Sequence, residues 1–294
     1  MKITIQAPAA TRAKSHAKSS VIALHCSLGS GRQWAALAEQ LGGDYQMIAP
    51  DISGYGSNPG PFIPPTTLAE EVELLSERLE AANGPIHLVG HSYGGAVAFK
   101  IATSSPLSPR VRSLTLIEPV LPTLLLDDET DRRLHDDFVD VAHGVHEYLW
   151  NGSYLEAIDK FTSFWNGSGP NEPLPAKTRI RLMEHIEKLA FDFTAALAEK
   201  DVAQAAAAIC VPTLLMSGGL SPFLTQRIVG RLASTIANAE TRHVPSAGHM
   251  MPISHAAFVN TEIIWHIARA DELAEVPLAS GQPSAEIIDL ADMR

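Results

Sequence analysis

The sequence predicts an α/β fold: a mostly parallel sheet with helices on both faces, plus an inserted helical cap. Three observations predict it. Short apolar, β-branched runs alternate with helical patterns through residues 21–117, and continuous apolar runs mark strands buried on both faces. That rhythm stops over 121–208, where only helical signals occur, and resumes at 211. The composition, 46% hydrophobic and 19% charged over 294 residues, is enough to fill a sizeable core and argues against disorder.

The elements follow in order. Residues 21–25 form a first strand, and 32–41 a helix with Trp34, Leu37, Ala38 and Leu41 on one face. Residues 45–50 form a second strand, ending in Asp51-Ile52-Ser53-Gly54-Tyr55-Gly56. Thr67 with Glu70 makes a capping box that opens a helix running to about 82, stopped by Asn83-Gly84. Residues 86–89 form a third strand, 94–103 its helix, and 111–117 a fourth strand. The 121–208 insertion reads as several short helical elements, with turns at Asn151-Gly152 and across 166–175. Strand 211–216, helix 224–236, strand 240–244 and a closing helix over 253–268 complete the chain, followed by a tail over 270–294. The core is thus expected at 1–120 and 209–294, with a cap at 121–208.

Charge and cysteines narrow the function. A net charge of −11 argues against nucleic-acid partners and against anionic membrane surfaces, both of which favour basic faces. No apolar run reaches membrane-spanning length, and the first twenty residues lack a signal-peptide core. Cys26 and Cys210 match no metal-ligand spacing and suit a reduced cytoplasmic protein. His143 and His146 could share a helical face but have no accompanying ligand set, so no metal or cofactor is expected. The expected partner is a small-molecule substrate.

In parallel sheets, ligands bind beyond the carboxyl ends of the strands. His25, Asp51, Ser92 and Glu118 each fall at such an end. Asp51 is expected to tie down its own turn, and His25 to brace the neighbouring loop. The sharpest signal is Gly90-His91-Ser92-Tyr93-Gly94-Gly95, a G-x-S-x-G sequence between strand and helix. That context places a serine on a strained turn, exposes its Oγ, and points the next amide, that of Tyr93, at a developing oxyanion.

With this motif, LHCSLGS at 24–30, DISGYGSN at 51–58 and SAGHMMP at 246–252, the chain resembles the α/β-hydrolase fold superfamily over nearly its whole length. The resemblance implies Ser92 as nucleophile and His249 as the base that takes its proton and returns it to a leaving group. It implies the amides of Ser27 and Tyr93 as oxyanion donors. Cys26 stands where the family usually has glycine, and as a small buried residue it is a poor rival nucleophile. Most members carry an Asp after the strand matching 211–216, but here that loop reads Ser217-Gly218-Gly219-Leu220-Ser221-Pro222-Phe223. Glu118 is the expected substitute, since some relatives, certain haloalkane dehalogenases among them, draw their acid from this strand end. Asp127 and Asp128, in an acidic run that reads as a solvated helix start, are rivals. A serine nucleophile disfavours the epoxide-hydrolase and dehalogenase branches.

The implied activity is a serine hydrolase cleaving a small or medium, fairly apolar ester, thioester or lactone through an acyl-enzyme. Alternatives are a C–C bond hydrolase with the same triad and a weakly catalytic small-molecule receptor. Cys26, Trp150, Trp165 and Met250 are the expected substrate-binding residues.

Overall fold

The computed structural model describes residues 18–167 and 174–275. The readings made on residues 1–17, on most of the 166–175 turn and on the tail beyond 275 therefore lie outside the described residues.

In chain order the chain forms β1 (Ser20–Leu24), α1 (Ala35–Leu41), β2 (Gln46–Ile48), α2 (Leu68–Leu79), β3 (Ile86–His91), α3 (Tyr93–Ser104) and β4 (Val111–Ile117). Five helices follow: α4 (Glu129–Trp150), α5 (Tyr154–Asn166), α6 (Ala176–Met183), α7 (Ile186–Ala198) and α8 (Val202–Ala207). Then come β5 (Thr213–Gly218), α9 (Phe223–Thr235), β6 (Ala239–Val244), α10 (Met251–Ser254) and α11 (Ala256–Glu275).

The strands form one sheet in the order β2-β1-β3-β4-β5-β6, every neighbouring pair parallel. The chain leaves β1 for the edge strand β2 and returns to place β3 on the other side of β1. That reversal opens a crevice beyond the carboxyl ends of β1 and β3, where parallel sheets bind ligands.

Period-two alternation divides each strand between two cores. Val21, Ala23, Val89, Leu214 and Met216 face α1 and α11, packing with Trp34, Leu37, Val259, Ile263 and Ile267. Ile22, Leu24, Leu88 and Leu215 face α2, α3 and α9, packing with Leu75, Phe99 and Ile228. Both faces are covered, which is why the strands read as continuous apolar runs.

The capping box at α2 is complete: the Thr67 hydroxyl accepts from the Glu70 amide at 3.2 Å, and the Glu70 carboxylate accepts from the Thr67 amide at 3.2 Å. The helix buries Leu68, Leu75 and Leu79, and also Glu71, a charge on the apolar stripe.

Three expectations need correction. The insertion does not consist of short elements only, because α4 runs for 22 residues, a length of about 33 Å. Asp128 caps it by accepting from the Thr130 and Asp131 amides at 2.9 and 3.3 Å, and Asn151-Gly152 ends it. The closing helix breaks at His255 and then extends to Glu275. Asp271, beyond the expected end, is tied to Arg112 at 2.7 Å and to Tyr45 at 2.9 Å, which anchors the added turns. Only Gln46–Ile48 of the expected second strand pairs, as befits an edge with a single neighbour.

Candidate active site

Ser92 links β3 to α3 at φ 57° and ψ −122°, a left-handed conformation that a residue with a Cβ adopts only under strain of about 1–3 kcal/mol. Its neighbours must be glycine. A Cβ on Gly90 would lie 2.4 Å from the Gly94 carbonyl oxygen, and one on Gly94 would lie 2.3 Å from that of His25. The strain is held by backbone bonds on both sides: the Ser92 amide donates to the Ile117 carbonyl at 3.0 Å, and the Ser92 carbonyl accepts from Ala96 at 3.1 Å and Val120 at 3.2 Å.

The structure brings Ser92, His249 and Glu118 together. His249 Nε2 lies 2.9 Å from Ser92 Oγ, and His249 Nδ1 lies 2.6 Å from Glu118 Oε2. A carboxylate only accepts, so it assigns the ring proton to Nδ1 and leaves Nε2 free to accept from the serine hydroxyl. Glu118 is fully buried, at φ 45°, and its Oε1 accepts from the Gly218 amide at 2.7 Å. The end of β5, just before the loop that carries Ser221, thus supplies a donor that orients Glu118. Asp127 and Asp128 sit elsewhere: Asp127 is exposed, and Asp128 pairs with Arg231 at 2.6 Å.

Two further groups fix His249, and the sequence reading missed one of them. His91 Nε2 donates to the His249 carbonyl at 2.8 Å, while Gln33 Nε2 donates to His91 Nδ1 at 3.1 Å. Burial holds His91 well below the usual histidine range, so it stays neutral in this role. On the other side, the Trp165 ring stacks on the His249 ring, centroids 4.2 Å apart at 21°.

Ser92, Ser27 and Tyr93 open onto a narrow pocket whose apolar walls include Phe138, Phe161, Trp165, Leu189 and Phe193, all from α4, α5 and α7. Asp192 is its one charged wall. Tyr93 opens α3, so its amide is among the donors that a helix start leaves unsatisfied. Ser27 lies in the loop after β1, braced by His25, whose Nδ1 donates to the Cys26 carbonyl at 2.7 Å and whose Nε2 accepts from the Ile52 amide at 2.9 Å. Asp51 holds its own turn, accepting from the Gly31 amide at 2.7 Å and from the Ser57 amide at 2.7 Å.

Of the four expected substrate-binding residues, the structure brings Trp165 alone into the pocket wall. Trp150 is 91% exposed. It lies 12 residues beyond Phe138 on the same long helix, about 18 Å further along its axis. Met250, beside His249, points partly to solvent at 42% exposure. Cys26 is buried behind the loop, and burial pushes its thiol up to about 12, which keeps it protonated and inert.

Behind the pocket lies a charged cluster that the sequence reading also missed. Lys188 and Asp192, four apart on α7, and Glu71 on α2 are all buried. Lys188 Nζ donates to Glu71 Oε2 at 3.0 Å and to Asp192 Oδ1. Asp192 Oδ2 also accepts from the hydroxyls of Ser27 and Tyr55, each at 2.5 Å. Glu71 accepts from the Tyr93 hydroxyl at 3.2 Å and from the Ser53 amide at 3.1 Å. The available signal was a Lys/Asp pair at i, i+4 within a mostly apolar helix.

Among the described residues, no group of three or more His, Cys, Asp or Glu side chains could hold a metal ion, and no helix is long and apolar enough to cross a membrane. His146 Nε2 instead sits 2.9 Å from the Ala190 carbonyl.

A family model described as the alpha/beta hydrolase family matches residues 21–262. Lipase LipV of Mycobacterium tuberculosis is 35% identical over 134 residues, 43% of this chain and 48% of that protein, so the match spans about half of LipV. The putative carbamate hydrolase RutD of Klebsiella pneumoniae is 27% identical over 259 residues, covering 82% of this chain and 88% of RutD. Among solved structures, MGS-M2, an alpha/beta hydrolase enzyme from a Medee basin deep-sea metagenome library, superposes with a TM-score of 0.68 at 19% identity, covering 88% of this chain and 92% of that one. At that identity the likeness speaks for the fold alone.

Proposed function

The chain belongs to the alpha/beta hydrolase family, and from that premise we propose a serine hydrolase that cleaves a small, uncharged, fairly apolar ester, thioester or lactone. One observation carries the reading: the continuous contact from Ser92 Oγ through His249 to Glu118, at 2.9 and 2.6 Å.

In this reading Ser92 Oγ attacks the acyl carbon while its proton passes to His249 Nε2. The ring becomes cationic, and Glu118 at Nδ1 supplies the negative partner that a buried cation requires. The carbonyl oxygen takes up charge facing the Ser27 and Tyr93 amides. His249 returns the proton to the departing alkoxide or thiolate, leaving Ser92 acylated. Water, deprotonated by the same nitrogen, then releases the acid. The aromatic walls favour an apolar acyl group, and Asp192 in the same wall disfavours an anionic one. A lipase and a putative carbamate hydrolase among the relatives are consistent with acyl transfer. Both cysteines are unpaired, which supports placing the protein in the reducing cytoplasm.

A fluorophosphonate probe tests this directly. It is expected to add one label, on Ser92, that Ser92→Ala abolishes together with turnover of p-nitrophenyl butyrate. Labelling that persists in Ser92→Ala would overturn the assignment.

A further inference from the structure

We propose that Asp192, Lys188 and Glu71 are positioning residues that hold the two oxyanion donors, Ser27 and Tyr93, against Ser92; the proposal rests on the serine-hydrolase reading above. The buried contacts form a continuous path. The Ser27 hydroxyl donates to Asp192 at 2.5 Å, Lys188 joins Asp192 to Glu71, and the Tyr93 hydroxyl donates to Glu71 at 3.2 Å. Each end of the path is a residue whose backbone amide faces the acyl oxygen in the proposed mechanism.

The loop bearing Ser27 is braced at Cys26 by His25 and Gln33, and Asp192 adds a tether on Ser27 itself. The next residue, Leu28, sits at φ 58° without being glycine, and Cys26 also has a side chain. Within the loop, one backbone bond closes the turn, Gly29 to the Cys26 carbonyl at 3.0 Å. Asp192, on α7, bonds Ser27 directly and is itself fixed by the Tyr55 hydroxyl at 2.5 Å.

Stability does not account for the cluster. Three charged side chains lie at 5% exposure or less, and buried ion pairs commonly gain nothing over apolar groups of the same shape. What they supply is direction. Each carboxylate accepts from three donors, which leaves neither free to rotate. Stabilisation of an oxyanion depends on donors held in place before charge develops, and small misplacements are expensive in rate. Because Lys188 and Asp192 both belong to α7, the inserted helices would contribute to the rate itself as well as roofing the pocket.

The test uses hydroxyl deletions that keep both backbone amides. Ser27→Ala, Tyr93→Phe and Asp192→Asn are each expected to lower kcat for p-nitrophenyl butyrate on the order of tenfold, with KM within about threefold. Inhibition by phenylboronic acid, whose tetrahedral adduct uses the same amides, should weaken by a similar factor. The double variant Ser27→Ala/Asp192→Asn should be no worse than its poorer parent. Lys188→Arg should retain more activity than Lys188→Met.

Unchanged kcat and boronate affinity in Ser27→Ala and Tyr93→Phe would overturn the proposal, even if Asp192→Asn fails to fold. So would a loss confined to KM, which describes a pocket wall, or losses that multiply in the double variant. Fluorophosphonate labelling of the wild-type chain at Ser92 separates the two readings. Without it both fall; with it, negative results in the variants remove only the positioning role.

Discussion

Trp165, on the inserted helix α5, lies flat against His249, ring centroids 4.2 Å apart and planes within 21°. In the proposed mechanism this ring gains a positive charge when it takes the serine proton, and an indole face attracts such a charge by about 0.5–2 kcal/mol. Trp165→Ala is therefore expected to lower kcat by roughly 2- to 30-fold and to change selectivity between acetyl and octanoyl esters. Trp165→Phe should fall between. Trp150→Ala, at a 91% exposed position, should match wild type in both measurements.

Glu118 faces two donors, His249 Nδ1 at 2.6 Å and the Gly218 amide at 2.7 Å. Glutamine in its place can accept from the Gly218 amide through its oxygen and donate its amino group to His249 Nδ1, which moves the ring proton to Nε2 and leaves no acceptor for the serine hydroxyl. In a serine protease triad, exchanging the acid for its amide costs about 10⁴ in turnover. Glu118→Gln should accordingly lose on the order of 10³ or more in kcat, with the urea midpoint little changed because both atoms of the glutamine amide keep a partner. Steady-state rates and urea midpoints check both. Near-normal turnover would rule Glu118 out as the acid.

His87 is fully buried on β3, its Nδ1 2.8 Å from the Ser113 hydroxyl. Burial drops it from 6.5 to about 4, against the opposing pull of Asp271. The unfolded chain therefore binds a proton in a window where the folded chain does not. Stability present above pH 6.5 is lost as the pH falls towards 4; 6.5 minus 4 is 2.5 units, or about 3 kcal/mol at most. Urea denaturation from pH 7.5 to 4.5 should show a shallower acid loss in His87→Gln than in wild type. Parallel curves would mean that His87 does not titrate in this window.

Of the two cysteines, Cys210 is exposed, whereas Cys26 is buried with its thiol pushed up to about 12. Ellman's reagent at pH 8 should release one equivalent from the native chain and two after denaturation. Rapid release of both from the native chain would contradict the packing of the loop after β1.

What was legible in the sequence followed from short-range sterics. Gly90 and Gly94 flank Ser92 because strand and helix touch there, and that constraint is visible within six residues. The Thr67–Glu70 box is equally local. Glu118 could be reached as a carboxylate at a strand end once the β5 loop proved to have none. What stayed hidden is made by partners remote in sequence. His91 sits beside Ser92 in the motif, yet its partner is the backbone of His249, 158 residues away. Lys188 reads as a surface charge until Glu71, 117 residues earlier, is seen on the buried side of α2. Trp150 and Trp165 look alike in the sequence; helix length and phase separate them, and a tertiary arrangement sets both.

The side-chain bonds that join Ser92, His249, Glu118 and Ser27 to their partners span a large part of the chain. Ser92 and His249 are 157 residues apart, His249 and Glu118 131, Glu118 and Gly218 100, and Ser27 and Asp192 165. During synthesis β1 to β4, with Ser92 and Glu118 at their ends, leave the ribosome before α7, the β5 loop and His249 exist. A nascent chain arrested at that stage contains Ser92 and Glu118 but lacks the base and the orienting amide of the proposed mechanism. Closure of such distant contacts is also slow, because loop entropy must be overcome before they form. In the serine-hydrolase reading, activity is thus withheld until the segments bearing α7, Gly218 and His249 have emerged and packed against β1 to β4.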